Sequence, residues 1–312
     1  MDLAGRIFAR DTPAAGRLLT WIEDGDPRAS GAMKAIYPRS GAVPVVGLTG
    51  PPGAGKSTLV DSLVAHYRSR DMVVGVLAVD PSSPFTGGAV LGDRVRMQRH
   101  AADPGVFIRS MANRGRAGGM SPAAAAAARV LEAWGCGVVI VETVGAGQGE
   151  IEVSSVASTT VLVCAPWAGD RVQAVKAGIT EIADIIVLNK SDLADAPRAA
   201  RALEMMLALA PRAGWKVPLV RTIATSGTGT GELAAMIDAH GRFAAEGGDA
   251  WRKRRAQLRA SLEGLVREKL FDRFAARADA GREIEARVES MIEGRTDPYT
   301  AAEEIVEKEI GR

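Results

Sequence analysis

Short, near-continuous runs of Val, Ile and Leu recur along the chain, and between them lie longer stretches in which apolar residues return every three or four positions. The runs predict strands at residues 45–49, 73–79, 106–108, 138–142, 160–165, 184–188 and 218–222. Strands this uniformly apolar are buried on both faces, the mark of a parallel sheet covered by helices on either side. The intervening stretches predict helices at 57–70, 121–134, 171–181 and 197–208. Strand and helix in alternation predict an α/β fold: a doubly wound, mostly parallel sheet occupying residues 43–242. Residues 1–42 and 243–312 lack strand patterns and read as helical extensions, the second rich in Arg and Glu. Leu258, Leu262, Leu265 and Val266 form an apolar stripe there with no sheet left to cover. Heptads are not sustained.

Chemistry enters at GPPGAGKS, residues 50–57, between the first predicted strand and the following helix. It fits the P-loop pattern in the required strand–turn–helix context. Glycines at 50, 53 and 55, with Ala54, let backbone N–H groups close around a polyphosphate. The helix N-terminus adds partial positive charge, and Lys56 adds a full one. Ser57 is placed to hold Mg²⁺, and Thr58 follows it at the helix start. The competing reading, a Gly-rich turn with an accidental Lys, fails to explain why every fixed position matches.

A second motif, Asn189-Lys190-Ser191-Asp192, follows the strand at 184–188. An Asn amide there can face the purine N7, and the Asp192 carboxylate can accept from guanine N1–H and its 2-amino group, donors that adenine lacks. Downstream of a P-loop, this motif selects GTP and GDP. Ser226 and Gly227, in a short glycine-rich loop, are further candidates for the nucleotide.

Two loops lie between the motifs. Asp80 ends a strand beside the P-loop, where a carboxylate can hold Mg²⁺ or orient water; Asp-Pro-Ser-Ser is also a good turn. Glu142 ends the next strand, and Gly145 can donate its N–H to a γ-phosphate, so the loop at 145–149 is expected to order with GTP and relax after hydrolysis. Gln148 is an available water-orienting residue.

Composition narrows the rest. With 312 residues and 47% hydrophobic content, the chain can bury a large core. No apolar run approaches about 18 residues, and MDLAGRIFARD at the N-terminus carries charges where a signal peptide needs apolar residues, so a cytoplasmic protein without membrane insertion is expected. A net charge of +2 and only 4% aromatic residues argue against a nucleic-acid partner. Trp251-Arg-Lys-Arg-Arg255 reads as a solvated helix face. Cys136 and Cys164 sit in apolar surroundings and read as reduced core residues.

LAVDPSSPFTGGAVLGDRVRM at 77–97, VIVETVGAGQGEIEV at 139–153 and DPYTAAEEI at 297–305 resemble the MeaB/ArgK-type P-loop GTPases, the family of the methylmalonic aciduria type A protein. The resemblance runs from about Val43 to the end and implies a G-protein chaperone of an adenosylcobalamin-dependent acyl-CoA mutase. It further implies a GTPase that is slow alone and stimulated by its partner, gating cofactor loading and protecting the mutase. It assigns Asp80 and Asp93 to the Mg²⁺ and nucleotide-responsive region and Glu142 to switch II. Residues 169–176 resemble switch III, which includes Asp170 and Gln173, with Lys176 at its communicating position. It also implies a homodimer formed by the C-terminal extension. The stretch from Phe107 to Gly119 departs from the family pattern before its Gly-Gly, leaving the client open among methylmalonyl-CoA, isobutyryl-CoA and hydroxyacyl-CoA mutases. Arg114 and Arg116 there suit phosphate, a partner or solvent equally.

Two other classes fit the sequence less well. A GTP-driven nickel metallochaperone needs soft or imidazole ligands, and the chain offers only His66, His100 and His240, with no Cys-x-x-Cys. An ATP-using transport kinase is disfavoured by Asp192.

Overall fold

The computed structural model describes residues 2–81, 98–100, 102–113, 122–143, 153–166, 182–209, 214–277 and 279–310. It divides into two compact units, Met1–Leu258 and Arg259–Arg312.

The first unit is built on a 7-stranded sheet in the order β3-β2-β4-β1-β5-β6-β7. The strands are β1 Val45–Thr49, β2 Val74–Pro81, β3 Val106–Asn113, β4 Val138–Thr143, β5 Thr159–Cys164, β6 Ile185–Leu188 and β7 Leu219–Arg221. Every paired neighbour is parallel. The α/β, doubly wound class expected from the sequence is thus the one observed. β3 outlasts its apolar run: as the edge strand it tolerates the polar Arg109 and Ser110, and Arg109 forms an ion pair with Glu23.

Alternation along the strands sends side chains to opposite faces. Val45, Leu77, Val79, Val139 and Val141 face one core. Against it pack α1 Leu3–Phe8, α2 Thr12–Asp24, α3 Arg28–Ile36 and α5 Pro122–Trp134, bringing Ile7, Leu18, Leu19, Ile36 and Leu131. The N-terminal helices therefore share the core of the sheet. Asp11 caps α2, accepting from Ala14 N, and left-handed Gly25 ends it. Val46, Leu48, Val76, Ile140, Val161 and Val163 face the opposite core, under α4 Lys56–Arg68 and α7 Thr230–Glu246. Leu162, Cys164, Ile186 and Leu188 meet α6 Ala196–Leu209. Each fully buried Leu or Ile contributes about 1.5–3 kcal/mol relative to exposure.

Cys136 and Cys164 are buried, and burial pushes the Cys136 thiol up to about 12. No helix among the described residues is long and apolar enough to cross a membrane.

α8 Asp249–Ala275 begins in the first unit and continues into the second, which also holds α9 Ala280–Ile292 and α10 Pro298–Ile310. In the second unit the buried hydrophobic residues described are Phe274, Ala280 and Ala301. Its organising contacts are polar. Arg277 joins Asp279, Glu283 and Glu309 at 2.7–2.9 Å, and Lys308 reaches Glu283 at 2.7 Å. Asp297 caps α10, accepting from Thr300 N at 3.1 Å and Thr300 Oγ1 at 2.6 Å. Leu262, Leu270, Phe271, Ile292, Tyr299 and Val306 are exposed.

Candidate functional site

The sheet order places the P-loop at the C-terminal end of β1, between β4 and β5, where open α/β sheets bind ligands outside the strand ends. The loop turns directly into α4, whose first N–H groups have no carbonyl of their own helix to donate to. Lys56 is buried, and its Nζ donates to Gly50 O at 2.7 Å and Pro51 O at 3.2 Å, holding its charge over the loop. Gly53 and Thr58 are exposed, and Ala54 is buried. Space around Gly53 is open, with no heavy atom within 4 Å of an added Cβ.

Ser57 and Glu142 meet beneath the loop. Glu142 is 1% exposed near the end of β4, in register with Leu48 of β1 and Ala78 of β2. Ser57 Oγ donates to Glu142 Oε1 at 2.7 Å. A hydroxyl and a carboxylate so close are hard oxygen donors of the kind that suits Mg²⁺, so the residues present fit that ion. The backbone of Asp80 lies one residue before the end of β2, in register with Ala112 of β3; its side chain, like Asp93, Gly145, Gln148, Asp170, Gln173 and Lys176, lies outside the described residues.

The guanine motif is welded to the P-loop. Asn189 is 1% exposed, and its Nδ2 donates to Ala54 O at 2.9 Å. Its Oδ1 accepts from Thr222 Oγ1 and Ala224 N, each at 3.1 Å. Gly55, at φ +89°, leaves the room this needs: a Cβ there would run into Asn189 Nδ2. Lys190 adopts φ +59°, an uncommon conformation for a residue with a side chain, and its Cε lies 3.7 Å from the point an added Gly55 Cβ would occupy. Asp192 is exposed at the rim, as are Ser226 and Gly227. Ser226 Oγ donates to Ile223 O at 3.1 Å and thereby shapes the loop. Thr222 and Ala224 complete the site yet escaped the sequence reading. The signal available was their position at and just beyond the last predicted strand.

The histidines are dispersed. His100 Nε2 lies 2.9 Å from Asp61, His240 Nδ1 pairs with Thr159 Oγ1 at 2.9 Å, and His66 packs edge-on against Tyr67. Among the described residues, no group of His, Cys, Asp and Glu is placed to hold a metal ion as a cluster of three or more.

Fold and site together define a P-loop protein of the guanine-nucleotide type. The family model for the methylmalonyl-CoA mutase-associated GTPase MeaB matches residues 15–279, and the chain belongs to that family. It is 44% identical to a Pyrococcus horikoshii protein named as a putative GTPase, over 100% of this chain and 98% of that protein. It is 32% identical to the mitochondrial methylmalonic aciduria type A homolog of Mus musculus, over 83% of this chain and 63% of that one. Among solved structures, a LAO/AO transport system kinase superposes with a TM-score of 0.72 at 25% identity, covering 98% of this chain and 95% of that chain.

Proposed function

We propose that this protein is a Mg²⁺-dependent GTPase, slow alone and accelerated by its partner, that chaperones an adenosylcobalamin-dependent acyl-CoA mutase. The observation that carries the GTPase reading is the Asn189 network, which fastens the base-selecting motif to the phosphate-binding loop through Ala54. The mutase enters from the family's name.

In this reading Lys56 exchanges its loop carbonyls for phosphate oxygens, and the N–H groups at the start of α4 face the same charge. Ser57, Glu142 and Asp80 would hold Mg²⁺, which supplies neutralisation of charge developing on the phosphates. Asp192 accepts from the guanine edge, while buried Asn189 fixes the distance between base and phosphate subsites. Hydrolysis is then a matter of positioning and charge. Asp93, Gly145 and the segment containing Asp170, Gln173 and Lys176 carry nucleotide state to the mutase, and residues 243–312 pair two copies in the cytoplasm. The dispersed histidines favour this reading over nickel delivery.

The test is GTP turnover by the full-length protein with and without each cobalamin-dependent acyl-CoA mutase of its source genome. The expected result is a large rise with one mutase, which names the client. Equal rates with and without every mutase, at concentrations where GTP binding is demonstrated, would remove the chaperone assignment.

A further inference from the structure

Two buried hydroxyls face each other across the joint between α4 and α7. Ser62, on the helix that the P-loop opens, and Thr230, the first residue of α7, share a hydrogen bond of 2.8 Å. They are 6% and 3% exposed, and their neighbours along the chain, Leu59 and Leu63 on one helix and Leu233 and Ala234 on the other, belong to a single apolar core. The helices approach closely here: His66 Cε1 lies 3.4 Å from where an added Gly231 Cβ would stand. A hydroxyl pair in such a place adds little to stability, since two apolar side chains of the same shape serve about as well. What it adds is direction, because a hydrogen bond constrains the rotation of one helix against the other more narrowly than apolar contact does.

The pair sits under the loop that joins β7 to α7. Ser62 Oγ lies 3.7 Å from the point an added Gly227 Cβ would occupy, so the hydroxyl lies against the exposed part of the loop. Thr230 N donates to Gly227 O at 3.2 Å, and Gly229, at φ +78°, turns the chain into α7 where a Cβ would run into Arg221 O. Inside the loop, Ile223 N donates to Thr228 O at 3.0 Å and Ser226 N to Ile223 O at 3.1 Å. The other end of the loop is tied to Asn189 through Thr222 Oγ1 and Ala224 N. Residues 222–230 are therefore held at one end by the base motif and at the other by the P-loop helix, with Ser226 and Gly227 exposed between them.

We propose that Ser62 and Thr230 are positioning residues for guanine nucleotide: their hydrogen bond sets the seat of the 226–229 loop beside the base subsite of Asn189 and Asp192, and with it the affinity for nucleotide. The inference rests on the guanine-nucleotide reading above. Both hydroxyls are buried, so they act through the loop rather than by contact with the ligand. Asn189 fixes the end of the loop nearest β7, while the far end follows the setting of α7, since closely packed elements move as units. Ser62 and Lys56 stand on one helix, so the base side and the phosphate side of the site share a single reference.

Titration of the full-length protein with GDP tests this, beside a denaturant unfolding curve for each variant. Ser62→Ala combined with Thr230→Val removes both hydroxyls and leaves apolar groups of similar shape. The unfolding midpoint is then expected to stay at the wild-type value while Kd for GDP rises about fivefold, the scale of one hydrogen bond. Thr230→Ser, which keeps the hydroxyl, retains wild-type affinity. Unchanged GDP affinity in the double variant overturns the proposal, as does affinity lost in Thr230→Ser as fully as in the double variant. An unfolding midpoint that falls together with affinity makes the pair a packing element and overturns it too. In each of these cases, GDP bound in preference to ADP by the wild-type protein leaves the guanine-nucleotide reading standing. Wild-type protein that binds ADP as tightly as GDP, or binds neither, overturns that reading and the proposal with it.

Discussion

The two units solve the problem of holding helices in place by different physics. In the first, strands apolar on both faces bury Ile140, Leu162, Leu48 and their neighbours completely, and the described flanking helices bring apolar side chains to meet them. In the second, Arg277 gathers Asp279, Glu283 and Glu309, while Phe274, Ala280 and Ala301 are the buried apolar side chains described. Ion pairs at a protein surface are individually weak, commonly about 0–1 kcal/mol each where solvent reaches them. A handful of these, with so small a core, leaves Leu262, Leu270 and Phe271 facing water. The difference teaches where each unit's stability originates: the sheet unit carries its own, and the helical unit would draw on a second copy in the dimer proposed above.

The largest expected effect lies in the sheet unit. Leu131 is fully buried and packs against Gly75, whose added Cβ would lie 2.8 Å from Leu131 Cδ1. Leu131→Ala should cost about 2–5 kcal/mol in denaturant unfolding of the full chain; a shift well below that range would show that the sheet core is not the main store of stability. Next comes Phe271→Glu on the exposed stripe. Covering such a side chain is worth about 1.5–3 kcal/mol, so sedimentation should show association weakened while GTP turnover in the absence of mutase is unchanged. Association as tight as before would place the interface elsewhere.

Acid should separate the units more gently. The Lys308 hydrogen bond, aided by the charges of Lys308 and Arg277, holds the Glu283 carboxyl below its ordinary range. A depressed folded-state pKa stabilises fully above the unfolded value and is lost as pH falls through the folded one. Helicity of residues 277–310 should therefore fall in acid before the sheet opens, as site-resolved hydrogen exchange would reveal; simultaneous loss would contradict the contrast. The smallest effect concerns thiols. With burial raising its pKa to about 12, Cys136 should alkylate only on opening of the sheet unit. In a Cys164→Ala background, Ala301→Cys should label faster than Cys136, and equal rates would mean equally protected units.

Much of this was legible from sequence, for physical reasons that differ by element. Strands buried on both faces must be near-continuous Val, Ile and Leu, so all of them could be placed, and β3 was cut short only because its Arg109 is neutralised by Glu23 of a distant helix. The phosphate and base motifs were legible because their chemistry fixes residue type and spacing. Their weld was not: Thr222 and Ala224 meet Asn189 through tertiary packing that leaves no local pattern. The WRKRR run illustrates the limit of reading charge. Arg255 does sit over the Trp251 ring in solvent, as a solvated face predicts. Lys253 and Arg254 turn inward to backbone carbonyls, because long stems let a charged head reach a buried acceptor while its helix looks uniformly basic.

The most direct test of the central claim, that phosphate and guanine motifs form one site, is titration of the purified protein with GDP and with ADP, in wild type and in Asp192→Ala. The account predicts saturable binding of GDP, none of ADP at comparable concentrations, and loss of that preference in the variant. ADP binding as tight as GDP in the wild-type protein, or a preference for GDP untouched in Asp192→Ala, would contradict it.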